Sequence, residues 1–244
     1  MFFRFPDESM KNEDKVYIID KKFADVNGDG RVETLMITGK KPYGENGFIE
    51  NMALVVRNKK TGLNIKVKPK ENSGYDPKLF IGKFDEKSSI PFVFLSIDSG
   101  GSGRYYFDYI YSFKNNVTNL VFDYDKFNDE NVYDAEYENF YKVGVKSQNK
   151  NLKGVIDLKS IRDKEYLSKI YNKDGTLKEP EAAGVLSLSN LSPLSINGFG
   201  IFDLLAGQRI IGLYNSDTLG YVESILRWDK DKFMTIAVRL VVSM

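Results

Sequence analysis

The sequence predicts a mainly β protein with one short helix, and three observations carry that prediction. Short apolar or alternating runs recur along the chain, turn-forming residues separate them, and a helical pattern is confined to one stretch. "MALVVRN" (52–58) and "LNIKVKP" (63–69) flank "KKTG", a hairpin signal with Gly62 at the turn. "FVFLSID" (92–98) has the length and apolarity of a buried strand. "RYYFDYIYSF" (104–113) is aromatic and β-favouring, and "LVFDYD" (120–125) follows the turn-rich "KNNVTN". "FYKVGVKS" (140–147) and "KGVIDL" (153–158) form a second hairpin, while "YDAEYENFY" (133–141) and "NSDTLGYV" (215–222) read as polar loops without catalysis. The helix is "SIRDKEYLSKIY" (160–171), capped by Ser160 and ending before the turn at Gly175. "KEPEAAG" (178–184) is a connector, and "YVESILRWDKDKFMTIAVRLVV" at the end suggests two strands about an Asp-Lys turn. Few stretches are long or polar enough for a linker, so 1–244 reads as a single β domain.

Composition narrows the chemistry. The 244 residues are enough to bury a core without covalent staples, and cysteine is absent. Histidine is absent too, which removes Ser-His-Asp and Cys-His catalysis, His-ligated zinc and the ordinary neutral-pH base. An enzyme on this chain would work with carboxylates, Lys, Tyr or a hard cation. A net charge of +1, with both signs scattered, argues against nucleic acid as a partner. No apolar run reaches membrane-spanning length. The start has no signal-type apolar run of about 7–15 residues. Location therefore stays open between a cell or spore surface, if a leader has been removed, and the cytoplasm.

"ADVNGDGRVETLMITG" (24–39) is the most chemically explicit stretch. Counting from Asp25, oxygen-bearing side chains fall at positions 1, 3, 5 and 9, namely Asp25, Asn27, Asp29 and Glu33. Gly30 at position 6 permits the reversal that offers the carbonyl of Arg31 at position 7. Three carboxylates and two neutral oxygens suit Ca2+ better than Mg2+, which demands stricter octahedral geometry. An EF-hand needs a bidentate Glu at position 12 and flanking helices; Met36 stands there, and "VETLMITG" alternates like a strand. The alternative is an acidic turn that binds nothing.

The loop recurs in worn form. "IGKFDEKSSIPFVFL" (81–95) aligns Lys83, Asp85 and Lys87 under Asp25, Asn27 and Asp29. "LSINGFGIFDLLAG" (194–207) puts Asn197, Gly200 and Asp203 under Asn27, Gly30 and Glu33. Lysines at two ligand places make the second copy metal-free by like-charge repulsion.

"DVNGDGRVE" resembles the calcium loop of the FG-GAP or VCBS repeats of integrin α-subunit heads and bacterial surface proteins. The wider chain is similar to a group of uncharacterised VCBS-repeat proteins of spore-forming Gram-positive bacteria. That similarity rests on "DVNGDGRVETLMITGKKP", "GYDPKLFIGKF", "LSIDSGGSG" with "YIYSF", "YLSKIYNKDGTLK" and "LLAGQRIIGLYNSDTLGYVESILRWD". The resemblance implies antiparallel, propeller-blade-like sheets holding Ca2+ through Asp25, Asn27, Asp29, Arg31 and Glu33. It implies no activity. Blades of about 60 residues leave room for about four at most.

"IDSGGSG" (97–103) is like the surroundings of a serine nucleophile, but Ser99 has no histidine base; a strand leaving its sheet through a glycine turn is the plainer reading. Asp98, Ser99, Tyr105 and Tyr109 would be the ligand-binding residues if the aromatic stretch formed an exposed sugar-stacking face rather than core. The expected function is a calcium-stabilised, non-enzymatic binding or structural protein with a glycan or protein partner at a surface. The alternative is a hydrolase of glycans or peptides using the 97–113 region.

Overall fold

The computed structural model describes residues 15–243, apart from 102, 104, 150, 151, 196, 197 and 199. The fold is mainly β with antiparallel sheets, and the described residues include two α-helices. The chain divides into two compact units, one holding residues up to Gly100 with Phe107–Leu120, the other Gly101–Tyr106 with Val121–Met244.

The first unit carries two four-stranded meanders. One is β1 (Val16–Ala24), β2 (Glu33–Lys40), β3 (Glu50–Asn58) and β4 (Leu63–Val67), neighbours in that order. The other is β5 (Tyr75–Gly82), β6 (Phe92–Asp98), β7 (Tyr106–Ser112) and β8 (Asn119–Asp123), the last leading into the second unit. Strict alternation along β2 buries Glu33, Leu35 and Ile37 on one face. Fully burying each such aliphatic side chain is worth roughly 1.5–3 kcal/mol. β6 is apolar on both faces, and Val93, Leu95 and Ile97 pass into the core with Ile110 and Phe113.

The second unit begins with α1 (Tyr124–Glu130), β9 (Tyr133–Glu138), β10 (Lys142–Ser147), β11 (Lys153–Asp157) and α2 (Lys164–Ile170). It continues through β12 (Ala182–Leu194), β13 (Asp203–Ile211), β14 (Thr218–Asp229) and β15 (Lys232–Val242). Its seven strands run in the order β11-β10-β9-β12-β13-β14-β15. The long β12 joins the two halves, pairing with β9 through Ala182–Gly184 and with β13 through Gly184–Leu194. The sheet curls until its edges nearly meet: a Cβ on Gly154 of β11 would overlap Leu240 of β15. Val143, Val145, Ile156, Ile210 and Val222 fill the resulting barrel-like interior, with Val238 and Leu240 packed against them.

Several local expectations need correction. "YDAEYENFY" is largely strand β9, with Tyr133, Ala135 and Tyr137 buried and the acids between them exposed. α1 begins where a strand was expected to continue, because the Asp123 carboxylate accepts the Asp125 N–H at 3.0 Å and caps the turn. α2 starts at Lys164, not beside Ser160: Asp163 accepts the Tyr166 N–H at 2.8 Å, whereas the Ser160 hydroxyl donates to the Asp157 carbonyl at 2.6 Å. "KEPEAAG" runs into the start of β12.

Candidate functional site

The acidic loop joins β1 to β2 at the end of the first meander, and its side-chain oxygens turn onto its own backbone. Asp25 accepts the N–H of Gly28 through Oδ1 at 2.7 Å and of Gly30 through Oδ2 at 2.9 Å. Asn27 Oδ1 accepts the Asp29 N–H at 3.0 Å, and Asp29 Oδ1 accepts the Arg31 N–H at 2.9 Å. Gly28 and Gly30 take φ of +82° and +80°, a region costly for residues with a Cβ. The loop is anchored from outside as well. Asn27, 3 % exposed, donates through Nδ2 to Asn116 Oδ1 at 2.9 Å, and its carbonyl accepts the Asn115 N–H at 2.9 Å.

Glu33 closes the base of the loop and is completely buried. Its carboxylate accepts the Val26 N–H at 3.1 Å and the Asn58 side-chain amide at 3.0 Å. Among the described residues it has no basic partner, an unusual position for a carboxylate at zero exposure. Asp29 and Arg31 are exposed. Among the described residues no three acidic side chains stand close enough to form a ligand group. The donors still have the chemistry of a hard-cation site: oxygens only, in a loop whose turn residues are already bent to face them.

The second copy lies at the equivalent place, between β5 and β6 of the second meander. There Asp85 Oδ1 accepts the Lys87 N–H at 2.9 Å, the same bond that Asn27 makes with Asp29. Lys83 and Lys87 occupy the positions of Asp25 and Asp29 in this alignment. The two loops touch where Gly28 lies against Ile90, leaving no room for a Cβ on Gly28. The third copy leads into β13, and its Asn197 lies outside the described residues.

The glycine stretch after β6 forms a turn in which Asp98 Oδ1 accepts the Gly100 N–H at 2.7 Å. Among the described residues no hydrogen-bond partner reaches the buried Ser99 Oγ, and Ser102 lies outside them. Tyr109 is 1 % exposed and its hydroxyl accepts the Glu71 N–H at 2.9 Å. Tyr111 and Phe113 continue the same buried row, with ring centroids 6.3 and 6.2 Å apart along it. This part of the aromatic stretch is core, and burial leaves Tyr109 no face for a sugar. Tyr105 is half-buried, with its ring tight against Gly103.

A second polar constellation lies wholly in the second unit. Asp217, just before β14, accepts from Arg162 Nη2 at 2.8 Å, the Tyr166 hydroxyl at 2.5 Å and the Leu213 N–H at 2.9 Å. Tyr166 and Tyr137 hydroxyls meet at 2.7 Å. Burial first, then the bond to Asp217, pushes the Tyr166 hydroxyl up to about 12. The two tyrosines stay protonated at neutral pH and act as hydrogen-bonding groups rather than bases. The constellation's side-chain-to-side-chain bonds join residues 29, 51 and 55 apart, so no sequence spacing announces it.

Residues 131–241 match the model of the YybI C-terminal domain, a span that takes in almost all of the seven-stranded sheet. Over 217 residues the chain is 37 % identical to the "Uncharacterized protein YybI" of Bacillus subtilis (strain 168), covering 89 % of this chain and 82 % of that one. The chain belongs to the YybI family. No solved structure matches it. The similarity to YybI therefore extends well beyond the C-terminal sheet into the unit that carries the acidic loop. No helix among the described residues is long and apolar enough to cross a membrane.

Proposed function

We propose that the chain is a calcium-stabilised, non-enzymatic binding or structural protein of the cell or spore surface, built in its first unit from FG-GAP/VCBS-like sheets. The observation that carries this reading is the loop itself: Asp25, Asn27 and Asp29 all turn their oxygens onto one short segment, above a buried Glu33 that has no basic partner among the described residues. Asp25, Asn27, Asp29, Glu33 and the Arg31 carbonyl are the groups that would hold the ion. Bound Ca2+ would supply positive charge to three carboxylates and tie the β1–β2 turn to Asn115 and Asn116 beyond β7. The matching bonds at Asn27 and Asp85 support a repeated unit whose second copy has exchanged acids for lysines. A surface setting suits such a loop, because without an acid at position 12 it is expected to be weak and to fill where calcium is abundant.

Thermal unfolding tests the proposal. Calcium at about 100 times its dissociation constant stabilises a one-site protein by roughly 2.7 kcal/mol, which raises the midpoint by several degrees. Chelator is expected to reverse the shift, and Asp29→Ala to abolish it. An unchanged midpoint, or an equal shift in the variant, contradicts the proposal.

A further inference from the structure

We propose that the second unit holds a separate binding cleft for a small anionic ligand with a ring-sized body, such as a phosphorylated or carboxylated sugar. The cleft is about 660 Å³, in the range of small-molecule sites, and lies between the β10 entry, the turn before α2 and α2 itself. Its lining is mostly apolar at the floor, where Tyr141, Leu167 and Tyr171 meet. Tyr141 and Tyr171 have ring centroids 4.8 Å apart, and the Tyr171 hydroxyl donates to the Glu138 and Lys142 carbonyls, which fixes the ring.

Charge decides the class of ligand. Four cations, Lys159, Arg162, Lys164 and Lys173, line the cleft against one acid, Asp163. Arg162 is already committed to Asp217. The three lysines are exposed, and among the described residues none has a carboxylate partner. Lys159 instead lies over the Tyr141 ring at 4.5 Å, which holds its ammonium group at the cleft. Three compact ammonium groups around an apolar floor suit phosphate or carboxylate groups spread over one ring, and lysine serves phosphate as a point charge. A volume of this size, within the range of small-molecule sites, favours a small ligand over an acidic peptide.

Calorimetric titration of the full chain with fructose 1,6-bisphosphate, glucuronate, pyrophosphate and glucose tests the inference. Saturable binding is expected for a ring-bearing anion, bisphosphate or uronate identifying the preferred charged group, with none for glucose. Lys159→Glu and Lys173→Glu are each expected to weaken it about tenfold, and added salt to weaken it further. Lys60→Glu, on the first unit, is expected to leave it unchanged. Circular dichroism and the unfolding midpoint check that the variants fold, since both lysines are exposed. Absence of saturable binding by both ring-bearing anions overturns the inference. Affinity unchanged by the two reversals, or pyrophosphate binding as tightly as either ring-bearing anion, overturns it as well.

Discussion

Replacing Asp108 with asparagine is expected to stabilise the protein at about pH 8 and to flatten its stability between about pH 5 and 8. Asp108 lies on β7 at 1 % exposure, and among the described residues no bond of good geometry reaches either carboxylate oxygen. Burial pushes its carboxyl up to about 7 and outweighs the opposing effect of Ser96 on the neighbouring strand. The folded state therefore holds a proton that the unfolded chain releases near the ordinary value of 3.8. The associated stability is fully present below that value and is lost as pH rises towards 7. At about 1.4 kcal/mol per unit over about three units, the loss is on the order of 4 kcal/mol. The chain has no histidine, so the usual competing titration in this window is missing. Urea unfolding at both pH values gives the slope. The same slope in Asp108→Asn would show that the titrating group lies elsewhere.

Asp217→Ala is expected to destabilise the protein by about 3–5 kcal/mol, the cost of breaking a buried ion pair by removing one partner. The Asp217 side chain is 4 % exposed and Arg162 18 %. Removing the carboxylate strands the guanidinium, and it takes a partner from the Tyr166 hydroxyl and the Leu213 N–H. Arg162→Met combined with Asp217→Ala is expected to recover part of the loss, because no lone charge then stays buried. A denaturant cycle of the two single variants and the double measures this coupling. Strictly additive losses, or a loss below about 1 kcal/mol for Asp217→Ala, would mean that the pair is adequately solvated.

The contrast between these two sites and the acidic loop shows what the sequence could carry. The loop is legible because all five of its donors fall within nine residues, so spacing alone displays their chemistry. Hairpins such as β3–β4 are legible for the same reason: Gly62, at φ +77°, marks the turn between two strand-like runs. β9 is less obvious because its apolar set is Tyr133, Ala135 and Tyr137, set among acids whose polarity hides a strict period of two. α1 and α2 have seven residues each, too short for a helical pattern, and their starts depend on which nearby Asp reaches a backbone N–H. Arg162, Asp217, Tyr166 and Tyr137 are joined only by the folding of α2 against the seven-stranded sheet. The lysine-rimmed cleft is local in sequence, all its lining residues but Tyr141 falling within 159–173, yet its lysines are indistinguishable by pattern from the many other exposed ones.

The central claim is that the 25–33 loop holds one calcium ion. Direct calorimetric titration of calcium into metal-free protein is the most immediate test. One saturable site per chain is expected, little affected by Mg2+ and weakened about tenfold or more in Asp29→Asn, which keeps the side-chain shape but removes a charge. Absence of saturable binding at millimolar calcium, or an affinity unchanged in Asp29→Asn, would contradict the account.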